Sequence, residues 1–467
     1  MKVTGNFLSK AEMEKIHTMS LRVLANVGVS FDDEHALETF RKHGARVEND
    51  VVYIDEALLN KALSTVPFTF DIYGRNKTKV VVGGGHQVIA PASGPLYVLN
   101  GEDIHRNTAE DYKNFQKLHH NSPVMDMLNP NLIEPSDISR EVVRNYQMAV
   151  CLKYTEKPLL GLTTSPQDAV NSIEMTQRFY GFTSNVLLGI VNVISPLKYD
   201  KTMLEALRLC VERDQPVMVA CCSLPGATSP ATLSGTIVVN NAEVLAGIVY
   251  AQLLRPGVGV LYGNTSGNCD MRYVNISIGA PETSLFIFAA AAMAEYYKIP
   301  CRTGGALSDS KTVDWQAGVE SSITMLPSLM SGSHFILHAC GVMDSFNIIS
   351  YEKYLLDEQN IQMLRRITQG TEILDNEEEF ANILEVGTGG QYLQSGHTME
   401  HFQDQLYNPL LFNKMAYEVW EQKGCPSAVE AAGKAVKKRL EDYSFPEMLP
   451  DQEKVLESYI GELIRTI

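Results

Sequence analysis

The strongest constraint in the sequence is a rhythm. From about residue 124, short runs rich in Val, Ile and Leu recur at 124–128, 159–162, 186–193, 217–220, 258–262, 299–303 and 335–337. Segments with helical spacing of apolar residues separate them, as at 200–213, where Met203, Leu204, Leu207 and Cys210 share a face. Short, continuously apolar strands are buried on both faces, as in a parallel sheet covered by helices. Repeated βα units of this number predict a (β/α)8 TIM barrel of class α/β. An eighth strand is sought at 96–99 or at 383–386. A doubly wound open sheet is the second choice. The nucleotide fingerprint that often accompanies one is missing, since Gly83-Gly84-Gly85 and 387–390 do not match GxGxxG and read as turns.

Helical additions flank the rhythm. Ser9 and Glu12 form a capping-box pattern ahead of apolar residues at helical spacing through Val27, and 32–44 and 55–66 suggest two more short helices. The tail from Asn408 is charged and helical in pattern. The expected division is an N-terminal helical region at 1–85, a barrel catalytic domain at 86–400 and a C-terminal helical extension at 401–467.

Bulk chemistry excludes several roles. The 467 residues carry a formal net charge of −16, the wrong sign for a general nucleic-acid binder. No uninterrupted run reaches the roughly 20 apolar residues of a membrane span, and 1–15 lacks a signal-peptide core. The eight cysteines are scattered without a CxxC pair, which suggests free thiols in a reducing cytoplasm.

A barrel enzyme keeps its chemistry at the C-terminal ends of its strands. The exits here are 129–131, Thr163 and Thr164, Asn192, 221–223, 264–266, Gly304 and Gly305, and 338–341, most of them small or polar. Metal ligation is not expected. His334 and His338, four apart on a strand, would sit roughly 13 Å apart. His397 and His401 have i,i+4 spacing and could share an ion, but a cap or packing role is favoured. The richest stretch is 304–311. It leaves a strand by a Gly-Gly turn and delivers Asp309 and Lys311, with Asp314, Trp315 and Glu320 opening the next helix.

At these residues the sequence resembles the trimethylamine methyltransferase family. The segment GGALSDSKTVDWQAGVE at 304–320 carries the resemblance, with SYE at 350–352 and HTMEHF at 397–402. Shorter matches are GPLY at 94–97 and GAPE at 279–282. The resemblance covers nearly the whole chain. It implies a (β/α)8 barrel that moves a methyl group from an amine to the cobalt of a separate corrinoid protein. Founding members carry a pyrrolysine near the strand that here reads 334–341, where only ordinary residues stand. The resemblance therefore implies a pyrrolysine-lacking member. Those characterised use carboxylated quaternary amines such as glycine betaine, proline betaine and carnitine. The products are methylcobalamin on the partner and a tertiary amine.

The chemistry agrees with that division. A quaternary ammonium is already cationic, so a neutral amine can leave, and the cofactor carries the hard chemistry. The barrel need only bind, orient and desolvate the donor, with no catalytic side chain, no metal and no permanently bound cofactor. A quaternary ammonium calls for aromatic faces, for which Tyr97, Tyr262, Trp315, Phe335, Phe346 and Tyr351 are candidates. A carboxylate calls for cationic or N–H donors, for which His334, His338, Arg302 and Lys311 are candidates. Asp309 and Glu320 could complement the cation, and Asn264 is a polar strand exit. Expected partners are a cognate corrinoid protein, a small quaternary amine and a second copy of the chain in a homo-oligomer. Two other readings stand beside this one. One is a barrel lyase or hydrolase using Asp, Lys and His acid–base chemistry. The other is a non-catalytic amine-binding protein.

Overall fold

The computed structural model of the protein describes residues 5, 7–373 and 376–467. Its first unit mixes helices with strands. Helix α1 (Lys10–Asn26) starts at the expected capping box, with Ser9 and Glu12 bonded reciprocally. Strand β1 (Val29–Phe31), α2 (Glu34–Lys42), β2 (Arg46–Glu48), β3 (Val51–Tyr53) and α3 (Glu56–Leu63) follow. Three-residue strands are too short to show a period of two, so this region read as helical alone. A hairpin of β4 (Thr69–Tyr73) and β5 (Lys79–Gly83) comes next. Its Phe70, Ile72 and Val82 enter the apolar cluster that fills the barrel interior. A Cβ on Gly259, just before a barrel strand, would meet the Phe70 ring at 2.8 Å. The hairpin therefore plugs the N-terminal end of the barrel.

The barrel begins at β6 (Val88–Ile89). Outside it lie β7 (Tyr97–Asn100), β8 (Asp103–Arg106), α4 (Ala109–His120) and α5 (Val143–Tyr154). The alternation then runs β9 (Leu159–Leu160), α6 (Pro166–Tyr180), β10 (Leu187–Asn192), the short β11 (Lys198–Tyr199), α7 (Lys201–Glu212), β12 (Val217–Cys221), α8 (Leu233–Leu254) and β13 (Val260–Asn264). A hairpin of β14 (Asn268–Asp270) and β15 (Asn275–Ser277) precedes α9 (Pro281–Tyr297), β16 (Cys301–Gly304), α10 (Trp315–Met330) and β17 (Phe335–Leu337). Seven strands pair in parallel in the order β6-β17-β16-β13-β12-β10-β9. The stretch 126–128 closes the ring. The Asp126 N–H donates to the Ile89 carbonyl at 2.8 Å, and Leu128 bridges Leu159 in parallel. Six of the seven apolar runs thus fall in barrel strands, and the seventh, 124–128, supplies the ring-closing stretch. The first strand is β6, however, and neither expected segment supplies it. Residues 97–99 belong to β7, which pairs with β8 and with β19 (Ile348–Ser350), next to β18 (Val342–Met343). Residues 383–386 end helix α12 (Glu377–Val386).

Met127, Leu160, Leu188, Met218, Leu261, Phe335 and Leu337 fill the interior with the hairpin residues. Helix α8 is long and apolar enough to cross a membrane, because its Ser, Thr, Asn and Glu residues only dilute an apolar composition. Of its most apolar window, 78% is buried within the protein, as a core helix requires. After α11 (Tyr351–Gln369) and α12 come α13 (Gly396–Gln405), α14 (Tyr417–Gln422), α15 (Ala428–Glu441) and α16 (Pro450–Ile460). Helix α15 docks on α11 through Arg439 and the buried Glu358, 2.6 Å apart. Helix α16 reaches back to the N-terminal hairpin, where the buried Arg75 of its turn donates to Gln452 at 2.9 Å.

Candidate active site

A cavity of about 270 Å³ opens at the C-terminal ends of the strands. Its wall takes Ile190 and Asn192 from β10, Arg302 from β16, and Ser93, Cys222, Thr265 and His338 from strand exits, with Phe346 above them. The opposite end of the barrel is closed by the hairpin, so this is the accessible end.

Arg302 is the dominant charge. Its residue partners across the sheet, Phe335 on β17 and Gly263 on β13, fix it in the interior layer, with only 2% of it exposed. One terminal nitrogen, Nη1, donates to the Asn264 carbonyl at 3.4 Å, while Nε has no hydrogen-bond partner among the described residues. No carboxylate among the described residues forms an ion pair with it. Burial lowers its pKa to about 10, which still leaves it a cation at neutral pH. Removing an ion from water costs several kcal/mol unless something pairs with it.

His338 faces the same space. The Ser93 N–H donates to its Nδ1 at 3.2 Å, so the ring proton sits on Nε2. Burial, and then the nearby Arg302, push its pKa well below the ordinary histidine value. The ring is therefore a neutral donor through Nε2–H. Its backbone has φ 61°, and Phe346, whose ring centroid lies 4.7 Å from the imidazole, has φ 79°. Left-handed backbone in bulky residues costs of order 1–3 kcal/mol each and persists where the surroundings enforce it. Gly305 is part of that enforcement. A Cβ there would meet the Ala339 Cα at 2.6 Å and the His338 carbonyl at 2.8 Å, so glycine lets the β16 and β17 exits close up.

The loop carrying Phe346 is held by residues expected to face the substrate. The Asp309 carboxylate accepts from Ser345 Oγ at 2.6 Å and from the Ile278 and Gly279 N–H groups at 2.9 and 3.0 Å. Glu320 accepts from Ser308 Oγ and the Asp309 N–H, both at 2.8 Å. These two carboxylates brace the loop from outside the cavity. Lys311 bonds the Asp309 carbonyl and pairs with Asp344 at 3.0 Å on the surface, far from binding a buried carboxylate. Asp309, Lys311 and a histidine therefore do not converge as an acid–base set.

The other candidates lie elsewhere. Tyr262 points outward from β13 and donates to Asn241 Oδ1 of α8 at 3.0 Å. Tyr351 stacks on Phe115 at 4.3 Å and donates to Asp111. Tyr97 lies under the Arg106 guanidinium in the outer sheet. Trp315 is 86% exposed at the start of α10. Phe335 belongs to the interior packing below the cavity. His334, at the other end of β17, accepts from the Cys301 N–H and has no path to the cavity. Asn264 contributes its carbonyl to Arg302, and its side chain accepts from the Ser266 N–H at 2.6 Å. Of the candidates, Arg302, His338 and Phe346 come together. Ser93, Ile190, Asn192, Cys222 and Thr265 were not assigned to the site. Asn192, Cys222 and Thr265 do fall in the ring of strand exits, which was the available signal. Ser93 follows the unrecognised β6.

Behind the wall, Glu243 of α8 ties two exits together. Its carboxylate accepts from the Leu197 N–H at 2.8 Å, Ser195 Oγ at 2.9 Å and Ser223 Oγ at 3.4 Å. Burial outweighs these bonds and raises its pKa to about 7.

Comparison with known proteins bears on this site. A family model described as trimethylamine methyltransferase (MTTB) matches residues 3–465. Glycine betaine methyltransferase of Desulfitobacterium hafniense (strain Y51) is 36% identical over 98% of this chain and 97% of its own. L-carnitine:corrinoid methyltransferase of Eubacterium limosum is 36% identical over 98% of each chain. Proline betaine:corrinoid methyltransferase of the same organism is 36% identical over 98% of this chain and 97% of its own. The crystal structure of the Methanosarcina barkeri monomethylamine methyltransferase (MtmB) superposes with a TM-score of 0.58 at 14% identity, covering 96% of this chain and 90% of that one. At that identity the likeness speaks for the fold.

Proposed function

Because the chain belongs to the trimethylamine methyltransferase family, we propose that it transfers a methyl group from a carboxylated quaternary amine of the betaine type to a corrinoid protein. The observation that carries this reading is the buried, carboxylate-free Arg302 beside the neutral donor His338 and the ring of Phe346. A betaine has one carboxylate and one quaternary ammonium, and the cavity offers a cation for the first and an aromatic face for the second. The three relatives at 36% identity act, by name, on glycine betaine, L-carnitine and proline betaine.

The acceptor supplies the nucleophile, a Co(I) corrinoid carried by the separate protein. This chain binds and orients the donor. Arg302 and the His338 Nε2–H hold the carboxylate at the wall, leaving the ammonium toward the open mouth. When an N–CH3 bond breaks, its electron pair stays on nitrogen and a neutral tertiary amine results, so no side chain needs to give or take a proton. The apolar wall of Ile190 and Phe346 disfavours the charged donor relative to a transition state in which that charge is dispersing. No permanently bound cofactor belongs to this reading. Residues 86–400 form its catalytic unit, with 1–85 and 401–467 as additions. Eight free thiols support a cytoplasmic setting, and exposed Leu393 and Leu410 in the C-terminal part support a homo-oligomer.

The test is spectroscopic. The protein is mixed with a corrinoid protein reduced to Co(I) and with glycine betaine, proline betaine, carnitine or trimethylamine. Loss of the Co(I) absorption with one of the three betaine-type donors, and none with trimethylamine, is expected. Demethylation without any corrinoid, or reaction of trimethylamine alone, overturns the proposal.

A further inference from the structure

The motif HTMEHF at 397–402 has no part in the barrel cavity. Neither role expected of it is available. The cap of α13 is Ser395, whose side chain accepts from the Thr398 N–H, so the histidines do not cap it. Nor do they pack in a core, because neither α12 nor α13 contains a buried residue. The i,i+4 spacing puts both imidazoles on one face, with ring centroids 4.4 Å apart. Across from them stands the first turn of α12. His397 Nε2 lies 3.6 Å from a Glu379 oxygen, and His401 Nε2 lies 3.9 Å from a Glu378 oxygen. His401 Nδ1 is 3.8 Å from Asp404. One ligand atom each from Glu378, His397 and His401 fall within 4.8 Å of one another.

These separations are too long for hydrogen bonds. They suit donors around a shared ion, because bonds of about 2.0–2.1 Å at tetrahedral angles place neighbouring ligand atoms roughly 3.4 Å apart. Glu372 and Arg366 line the adjoining open cavity, which leaves room for water as a further ligand. Two imidazoles with carboxylates suit zinc and the neighbouring late first-row cations, whereas an all-oxygen set would suit calcium or magnesium.

We propose that Glu378, His397 and His401, with Glu379 in reach, form a zinc-class divalent cation site that clamps α12 to α13. The need for a clamp is structural. Two ten-residue helices without buried side chains bury little apolar area, and the hydrogen bond from the cap residue Ser395 to Asn382 Oδ1 at 2.9 Å is a slight tie between them. Binding energy at such a site is directly stabilising energy for the elements it joins.

The test uses the full-length protein, stripped with chelator and titrated with zinc by calorimetry. One equivalent binding at micromolar or tighter concentration is expected. The bound protein should resist proteolysis between 370 and 410. Cobalt in place of zinc should show visible ligand-field bands without the near-ultraviolet charge transfer of a thiolate, since no cysteine is involved. The double variant His397→Gln, His401→Gln should lose that equivalent and keep the barrel's thermal transition. Should that variant fail to fold, Glu378→Gln serves in its place, with zinc affinity expected to fall about tenfold or more. The proposal is overturned by absence of a stoichiometric equivalent, by its retention in the histidine variant, by unchanged affinity in Glu378→Gln, or by a thiolate band.

Discussion

Arg302 sits where a charge is costly and has no carboxylate to offset it among the described residues. Replacing a buried, unpaired ion with an apolar side chain of similar length is often neutral or stabilising for the fold. Losing one partner of a buried charge pair costs about 2–5 kcal/mol in binding. Arg302→Met should therefore hold or raise the melting temperature while lowering kcat/KM for the betaine by about 100-fold or more. A variant within about threefold of the parent in methyl transfer would remove Arg302 from substrate binding. Side-chain direction is what a sequence conceals here. Leu261 and Tyr262 are adjacent, yet one fills the barrel and the other bonds α8. Strand parity cannot be read from continuously apolar runs, so Tyr262 fell on the outer face, while Trp315 and Tyr351 open helices outside the barrel. Arg302 and His338 were recoverable because a polar side chain in or just after such a run has few satisfactory places to go.

Helix α8 links packing to the cavity rim through Glu243. The folded pKa of about 7 lies above the ordinary carboxyl value of 4.5. Between those two values the folded protein holds a proton that the unfolded chain releases. The associated stability is fully present below about pH 4.5 and is lost as pH rises through 7. Glu243→Gln has no such proton. Denaturant unfolding should thus show the parent losing ground to the variant from pH 5 to 8, by about 3 kcal/mol at most. Parallel stability curves for the two proteins would contradict the assignment of this carboxyl. The elements themselves were largely legible. Parallel strands between helices must be apolar on both faces, and six of the seven such runs are barrel strands, while the first closes the ring through a single bridge. Strand β6 was hidden because it has two residues, and the Asp126 carboxylate accepts its Ile89 N–H at 2.8 Å in place of a carbonyl. No residue pattern advertises a ladder completed by a side chain.

At the scale of the molecule, a formal charge of −16 and a length of 467 proved compatible with one barrel carrying helical and sheet additions. The additions were less legible than the barrel, since their strands are short and their pairing joins segments as distant as β1 and β11. The N-terminal hairpin has the widest reach. By filling the barrel floor with Phe70, Ile72 and Val82, it makes the chamber a cul-de-sac. In the proposed reaction, donor and acceptor would then share this doorway, and the larger one would block it. Traffic in that proposed reaction would be ordered: the amine goes in first, the corrinoid protein stands across the threshold during transfer, and the demethylated amine waits until it withdraws. Initial-rate kinetics should show the spent amine competing with the fresh one while excess unreduced corrinoid protein traps whatever lies inside, and random-order patterns would mean that a second way out exists.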